Sequence, residues 1–157
     1  MKQQIKNNLQ AYCHLLGISP AILAKKMKVG KPSAFNWFKN INAVPDDAVD
    51  WVAYRYNEFE KAVSNTVALI DEQDDGTCVA LIFYTKNNFA RWGDKNFEFA
   101  EIHQAIVFRI AQMRATRTFT IRFDAPSYLA YLQDRQDTQT ERASWAVLQL
   151  HKLHGLI

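Results

Sequence analysis

A chain of 157 residues has room for one ordinary domain, or for a small head joined to a body. Hydrophobic content of 48% and aromatic content of 13% exclude a disordered chain, and five glycines and four prolines exclude long flexible linkers. The net charge of +3 is unevenly placed: residues 1–45 carry seven lysines and no acid, +7, against −4 for the remainder. A basic head on a mildly acidic body is the footprint of a nucleic-acid-binding protein; a solvated lysine-rich surface is the blander explanation.

Residues 3–16 place Ile5, Leu9, Tyr12, Cys13 and Leu16 at helical spacing, and Gly17 stops that helix. Ser19 then caps a second helix with Pro20 in its first turn and Ile22, Leu23 and Met27 as its apolar stripe. Lys28-Val29-Gly30 breaks the pattern. A third helix follows over Lys31 to Asn40, with Ala34, Trp37 and Ile41 on one side and Ser33, Asn36 and Lys39 on others. Two short helices joined by a tight turn are the arrangement that places the second helix in the major groove of DNA. Asn40 to Val44 form a loop closed by Pro45. Asp46-Asp47 open a long helix whose stripe runs Val49, Val52, Tyr56, Phe59, Val63, Val67, Ile70. Asp74-Asp75-Gly76 is a turn and the expected boundary between residues 1–73 and 74–157.

The body alternates. Thr77 to Thr85 reads as a strand, a short helix follows around Phe89 to Trp92, and Phe97 to Arg114 is an amphipathic helix. Thr116 to Phe123 is a second strand, SYLAYLQD a short helix, and Thr138 to Leu153 a closing helix. Segments 77–114 and 116–153 therefore share one order of elements. An internal duplication and a chance similarity of two strand-helix units explain their few identities equally well. The expected fold is mostly α with a small β component (α+β), a helix-turn-helix bundle followed by a strand-helix dimerisation domain. Two strands make a poor sheet alone. Completing it across a two-fold axis would protect its edges, which makes Val79, Leu81, Phe83, Phe119 and Ile121 the candidate dimer-interface residues.

On the third helix, Lys31, Ser33 and Asn36 are the groove-facing candidates, and Asn36 has the geometry for a paired contact to adenine. Phe35 is a further base-facing candidate through a thymine methyl, unless it or Phe38 packs inward with Trp37. Lys25, Lys28, Lys39 and Asn42 suit phosphate oxygens, which position a protein without reading sequence. Trp37, Trp92, Trp145 and Phe97 read as core or interface before base-stacking platforms.

Enzymatic readings fail for want of a constellation. His14, His103, His151 and His154 are scattered, and the chain has no Gly-rich phosphate loop or nucleophile elbow. No catalytic residue, metal or cofactor is expected, and Cys13 and Cys78 read as reduced, mostly buried thiols. No apolar run approaches the ~20 residues that span a bilayer. The N-terminus MKQQIKNNLQ lacks the apolar core of a secretory signal, so a cytoplasmic protein without a membrane partner is expected.

Ala24, the MKVG turn and the NINAVPD exit together resemble an XRE-type helix-turn-helix. More specifically, FNWFKNINAVPDDAVD (35–50) with IFYTKNNFARWGDKNFEFAEIHQAIVFRIA (82–111) is similar to the YdiL-like family of small regulators, which includes the anti-CRISPR-associated repressors. The similarity covers residues 5–112. It implies a homodimer that binds inverted repeats in double-stranded DNA and represses transcription, with a dual DNA- and RNA-binding repressor as a variant. Where such regulators tend to carry polar residues on the recognition helix, this chain has Phe35 and Phe38. That departure keeps a protein-protein adaptor or antitoxin-like module open as the alternative.

Overall fold

The computed structural model of the chain describes residues 1–73 and 75–155; Asp74, in the expected boundary turn, lies outside them. The fold is mostly helical with one small sheet, as the periodicities predict. It divides into two compact units, Met1–Ala62 and Val63–Ile157. The division falls inside the long helix rather than at the Asp-Gly turn that follows it.

In the first unit, the helix expected over residues 3–16 is broken in two, α1 (Lys2–Asn7) and α2 (Leu9–Leu16). Asn8 is the cause. Its φ is −132°, its N–H bonds to the carbonyls of Gln4 and Ile5, and its side-chain amide also donates to the Gln4 carbonyl. A short amide side chain that satisfies the preceding turn locally competes with helix continuation. Ile5, Leu9, Cys13 and Leu16 stay buried across the break, and Gly17 ends α2 at φ 73°. Helix α3 (Pro20–Met27) starts under Ser19, whose Oγ accepts from the Ile22 N–H at 3.2 Å. Helix α4 (Lys31–Phe38) starts after Gly30 and is shorter than its expected run to Asn40. The 26-residue helix α5 (Asp46–Asp71) follows. Its Ala48, Val49, Val52 and Phe59 complete the core of this unit.

The second unit begins with the last turns of α5 and continues through β1 (Val79–Phe83), α6 (Lys86–Trp92), a 3-10 turn at Lys95–Phe97 and α7 (Ala100–Met113). Then come β2 (Thr118–Arg122), α8 (Ala125–Leu132) and α9 (Gln139–Leu153). Strands β1 and β2 pair in parallel, from Val79 opposite Thr118 to Phe83 opposite Arg122. Ala80 and Ile82 of β1, with Phe119 and Ile121 of β2, pack on the cluster that holds Trp145, Ala146 and Leu150 of α9. On the other face Phe83 meets Phe108 of α7, ring centroids 5.2 Å apart. The sheet is thus a layer between two helices. Equivalent elements begin at Val79 and Thr118, Lys86 and Ala125, and Ala100 and Gln139, a constant spacing of 39 residues that is also the register of the sheet. The two body segments therefore share geometry as well as order.

An ionic fork ties these layers together. Arg142 donates to both carboxylate oxygens of Asp137 at 2.8 and 2.6 Å, to the Trp92 carbonyl at 2.6 Å and to the Tyr84 hydroxyl at 3.1 Å. Tyr128 donates its hydroxyl to Asp137 at 2.6 Å. The Arg142 bonds, and then that of Tyr128, hold the Asp137 carboxyl down at about 2. An unfolded carboxylate protonates first as pH falls, near ~3.9, so this contribution is complete above that value and is lost on descending to about 2. The expected result is a gap in urea midpoint between the native chain and Asp137→Asn that is constant above ~pH 5 and closes towards pH 2. A gap independent of pH would reject the linkage.

Candidate nucleic-acid interface

Helix α4 meets α3 through a turn that the backbone defines closely. Lys28 caps α3 in the left-handed region at φ 57° and ψ 45°, and the Val29 N–H returns to the Ala24 carbonyl at 3.0 Å. Ala24 is itself 4% exposed, small enough to let the two helices cross closely. Pro32 occupies the first turn of α4, where its missing N–H costs no helical bond.

The burial of α4 sorts its candidates. Ala34, Trp37 and Phe38 form the inner face, which settles the orientation of the two phenylalanines: Phe38 is buried and Phe35 is 43% exposed. Lys31, Pro32 and Phe35 are exposed, and Ser33 and Asn36 are half-buried. At 100° per residue, Pro32 and Asn36 lie opposite the buried face, with Lys31, Phe35 and Ser33 at its margins. Asn36 is partly covered because the following loop turns back on it. Its backbone carbonyl accepts from the Ile41 N–H at 2.9 Å and from the Asn42 N–H at 3.4 Å. That loop corrects one expectation. Ile41 does not continue the apolar side of α4 but is 64% exposed, because the helix has already ended at Phe38 and Asn40 has turned to φ 57°.

Lys25, Lys28, Lys39 and Asn42 are all exposed. The Lys39 ammonium stands 5.1 Å above the Phe35 ring, a cation–π pair one helical turn apart. Two candidates of different expected roles, one for bases and one for phosphate, are thereby joined. Their i, i+4 spacing was the available signal for it. Lys26, half-buried over the Trp51 ring at 5.6 Å, was missed altogether. Elsewhere the acid-free segment is answered by the start of α5. Lys2 pairs with Asp50 at 2.7 Å and Lys6 with Asp46 at 3.4 Å. The hydrogen bond to Asp50, and then its charge, hold the Lys2 ammonium above its ordinary range. Among the described residues Lys28 and Lys31 form no ion pair, so the uncompensated charge is drawn away from α1 and concentrated around the turn and the start of α4.

The remaining candidates lie in the second unit. Val79, Leu81 and Phe83 are half-buried, short of the two-sided burial that their continuous apolar run implies. Ile121 is 6% exposed within the cluster of that unit, so its side chain is already committed there. Phe119 is half-buried with its ring 5.1 Å from that of His154. Trp92 and Trp145 are core residues, and Phe97 packs against the same cluster. Of the two thiols, Cys13 is buried, which pushes it up to about 12, but Cys78 is exposed, against expectation. It immediately precedes β1, outside the sheet. No described helix is long and apolar enough to cross a membrane. Comparison with protein-family models and with curated proteins found no match to this chain.

Proposed function

We propose that this chain is a sequence-specific DNA-binding transcriptional regulator, a cytoplasmic dimeric repressor related to the YdiL-like regulators and acting on an inverted repeat. One observation carries the reading: Asn36 lies on the outward side of α4, and Lys28 and Lys31, exposed around the start of that helix, form no ion pair among the described residues. Helix α4 would enter the major groove, Asn36 would read a base edge, and Lys28 and Lys39 would hold phosphates. Two heads related by a two-fold axis would match the two half-sites of a palindrome.

Fluorescence anisotropy on the protein's own upstream region and on scrambled duplex tests this. Asn36→Ala is expected to cost ~1–3 kcal/mol on the preferred site and little on the scrambled one. Lys28→Ala is expected to weaken both and to reduce the slope of log affinity against log salt by about 0.9. Unchanged binding by Asn36→Ala would reject this groove face.

A second reading has its own observation in favour. Phe35 and Ile41 are exposed apolar side chains beside the same helix, as a protein-protein adaptor would use. An adaptor would bind duplex weakly and without preference between the two sequences.

A further inference from the structure

The two edges of the small sheet differ in a way that selects one of them. The Val79 N–H donates to the Arg117 carbonyl at 2.8 Å, and the Phe83 carbonyl accepts from the Phe123 N–H at 2.8 Å. Alternation along a strand therefore turns the backbone groups of Val79, Leu81 and Phe83 towards β2 and those of Ala80 and Ile82 away from it. On β2 the outward residues include Thr120 and Arg122, both exposed, and a charge on an edge discourages further pairing. The edge of β1 has no such guard. Its sequence is VALIF, all five residues keep partial exposure, and no described group bonds to the outward backbone of Ala80 or Ile82. The free stretch ends at Tyr84, whose carbonyl accepts from Gln104 Nε2 at 2.6 Å.

We infer that a second copy of this chain pairs at that edge, β1 against β1 in antiparallel sense about a two-fold axis at Leu81, to give a sheet ordered β2-β1-β1-β2. The inference rests on the dimer proposed above and names its contact. An antiparallel self-pair centred on Leu81 sets Ala80 opposite Ile82 of the other copy, and Ile82 opposite its Ala80. Every free N–H and C=O of the stretch is then bonded, four hydrogen bonds in all by strand geometry. Centring on Ile82 would set Ala80 against Tyr84, whose carbonyl is taken. Centring on Ala80 would set Ile82 against Cys78, outside the strand. Leu81, which the sequence marks as an interface residue, contributes by its position on the axis, with its backbone bonds directed to its own β2.

The full-length chain carrying Cys78→Ser supplies the test. In that background Leu81→Cys is expected to give a covalent dimer under mild oxidation, because the residues opposite each other on the axis are a non-hydrogen-bonded pair with Cα atoms ~4.5 Å apart. Val79→Cys, displaced from the axis, is expected to give none. Ala80→Pro removes an outward N–H and leaves the ladder to β2 intact, and is expected to weaken dimerisation roughly 10-fold or more in sedimentation. A chain that sediments as a monomer overturns the inference, and so does a dimer that neither cross-links through Leu81→Cys nor responds to Ala80→Pro. Such a dimer with intact DNA binding leaves the proposed function standing. Cross-linking without any duplex binding supports the inference and removes that function.

Discussion

Arg142→Ala is expected to destabilise the second unit by about 3 kcal/mol, visible as a lower thermal midpoint. The substitution removes a fork that reaches three separate segments at once, and strands the partners it leaves. Asp137 keeps its charge with only the Tyr128 hydroxyl beside it, and the Trp92 carbonyl loses its donor. The side chains of Arg142 and Asp137 are 21% and 33% exposed, so water replaces part of what is lost and the effect belongs at the low end for a broken buried pair. Arg142→Lys should recover little, since one ammonium cannot reproduce a two-pronged contact to a carboxylate and still reach the Tyr84 hydroxyl. Adding Asp137→Asn to Arg142→Ala removes the stranded charge, and the double variant is expected to lose less stability than the sum of the two single losses. A loss under ~0.5 kcal/mol for Arg142→Ala would mean that the fork is a surface pair of the ordinary, nearly neutral kind.

Trp145→Ala is expected to cost more, about 3–5 kcal/mol, and to leave the second unit partly unfolded at room temperature. Trp145 is 1% exposed and sits among Phe123, with ring centroids 5.4 Å apart, and Tyr128, at 5.9 Å. Its indole N–H donates to Ser127 Oγ at 3.2 Å, so its polar atom is satisfied at no expense to the packing. Truncation leaves a hole lined by aromatic rings, which cannot collapse without leaving their own contacts. Trp145→Phe keeps most of the contact and loses the hydrogen bond, for which about 1–2 kcal/mol is expected. Guanidinium unfolding of the two variants, followed by circular dichroism, separates a cavity cost from a hydrogen-bond cost.

Much of this arrangement is legible in residue spacing. The three-and-four rhythm from Val49 to Ile70 gives α5, and the cap Ser19 accepts the expected first-turn N–H. What spacing does not show is where a local bond overrides it. Asn8 carries the same apolar phase on both sides and still divides a helix. Ile41 has the phase of Ala34 and Trp37 but falls beyond the helix that would make that phase matter. On α4, periodicity predicts the buried Trp37 correctly but leaves Phe35 and Phe38 undecided; only the packing separates them. The ionic fork lies further beyond reach. Arg142 is 58 residues from Tyr84 and 50 from Trp92, and nothing in either neighbourhood signals the other.

The spacing of 39 residues that governs the strands, the short helices and the long helices makes the body tolerant of unequal recombination. Crossing over between any two equivalent points removes or adds one whole strand-helix-helix module, and the junction stays in structural phase. A chain joined from Ile82 directly to Arg122 would still read as strand, short helix, long helix, having lost one strand together with the short and long helices that follow it. The reverse exchange would insert a third strand at the same interval. Body length in such a lineage could therefore change by modules in a single genetic event, with no loop to be rebuilt and no strand shifted out of register.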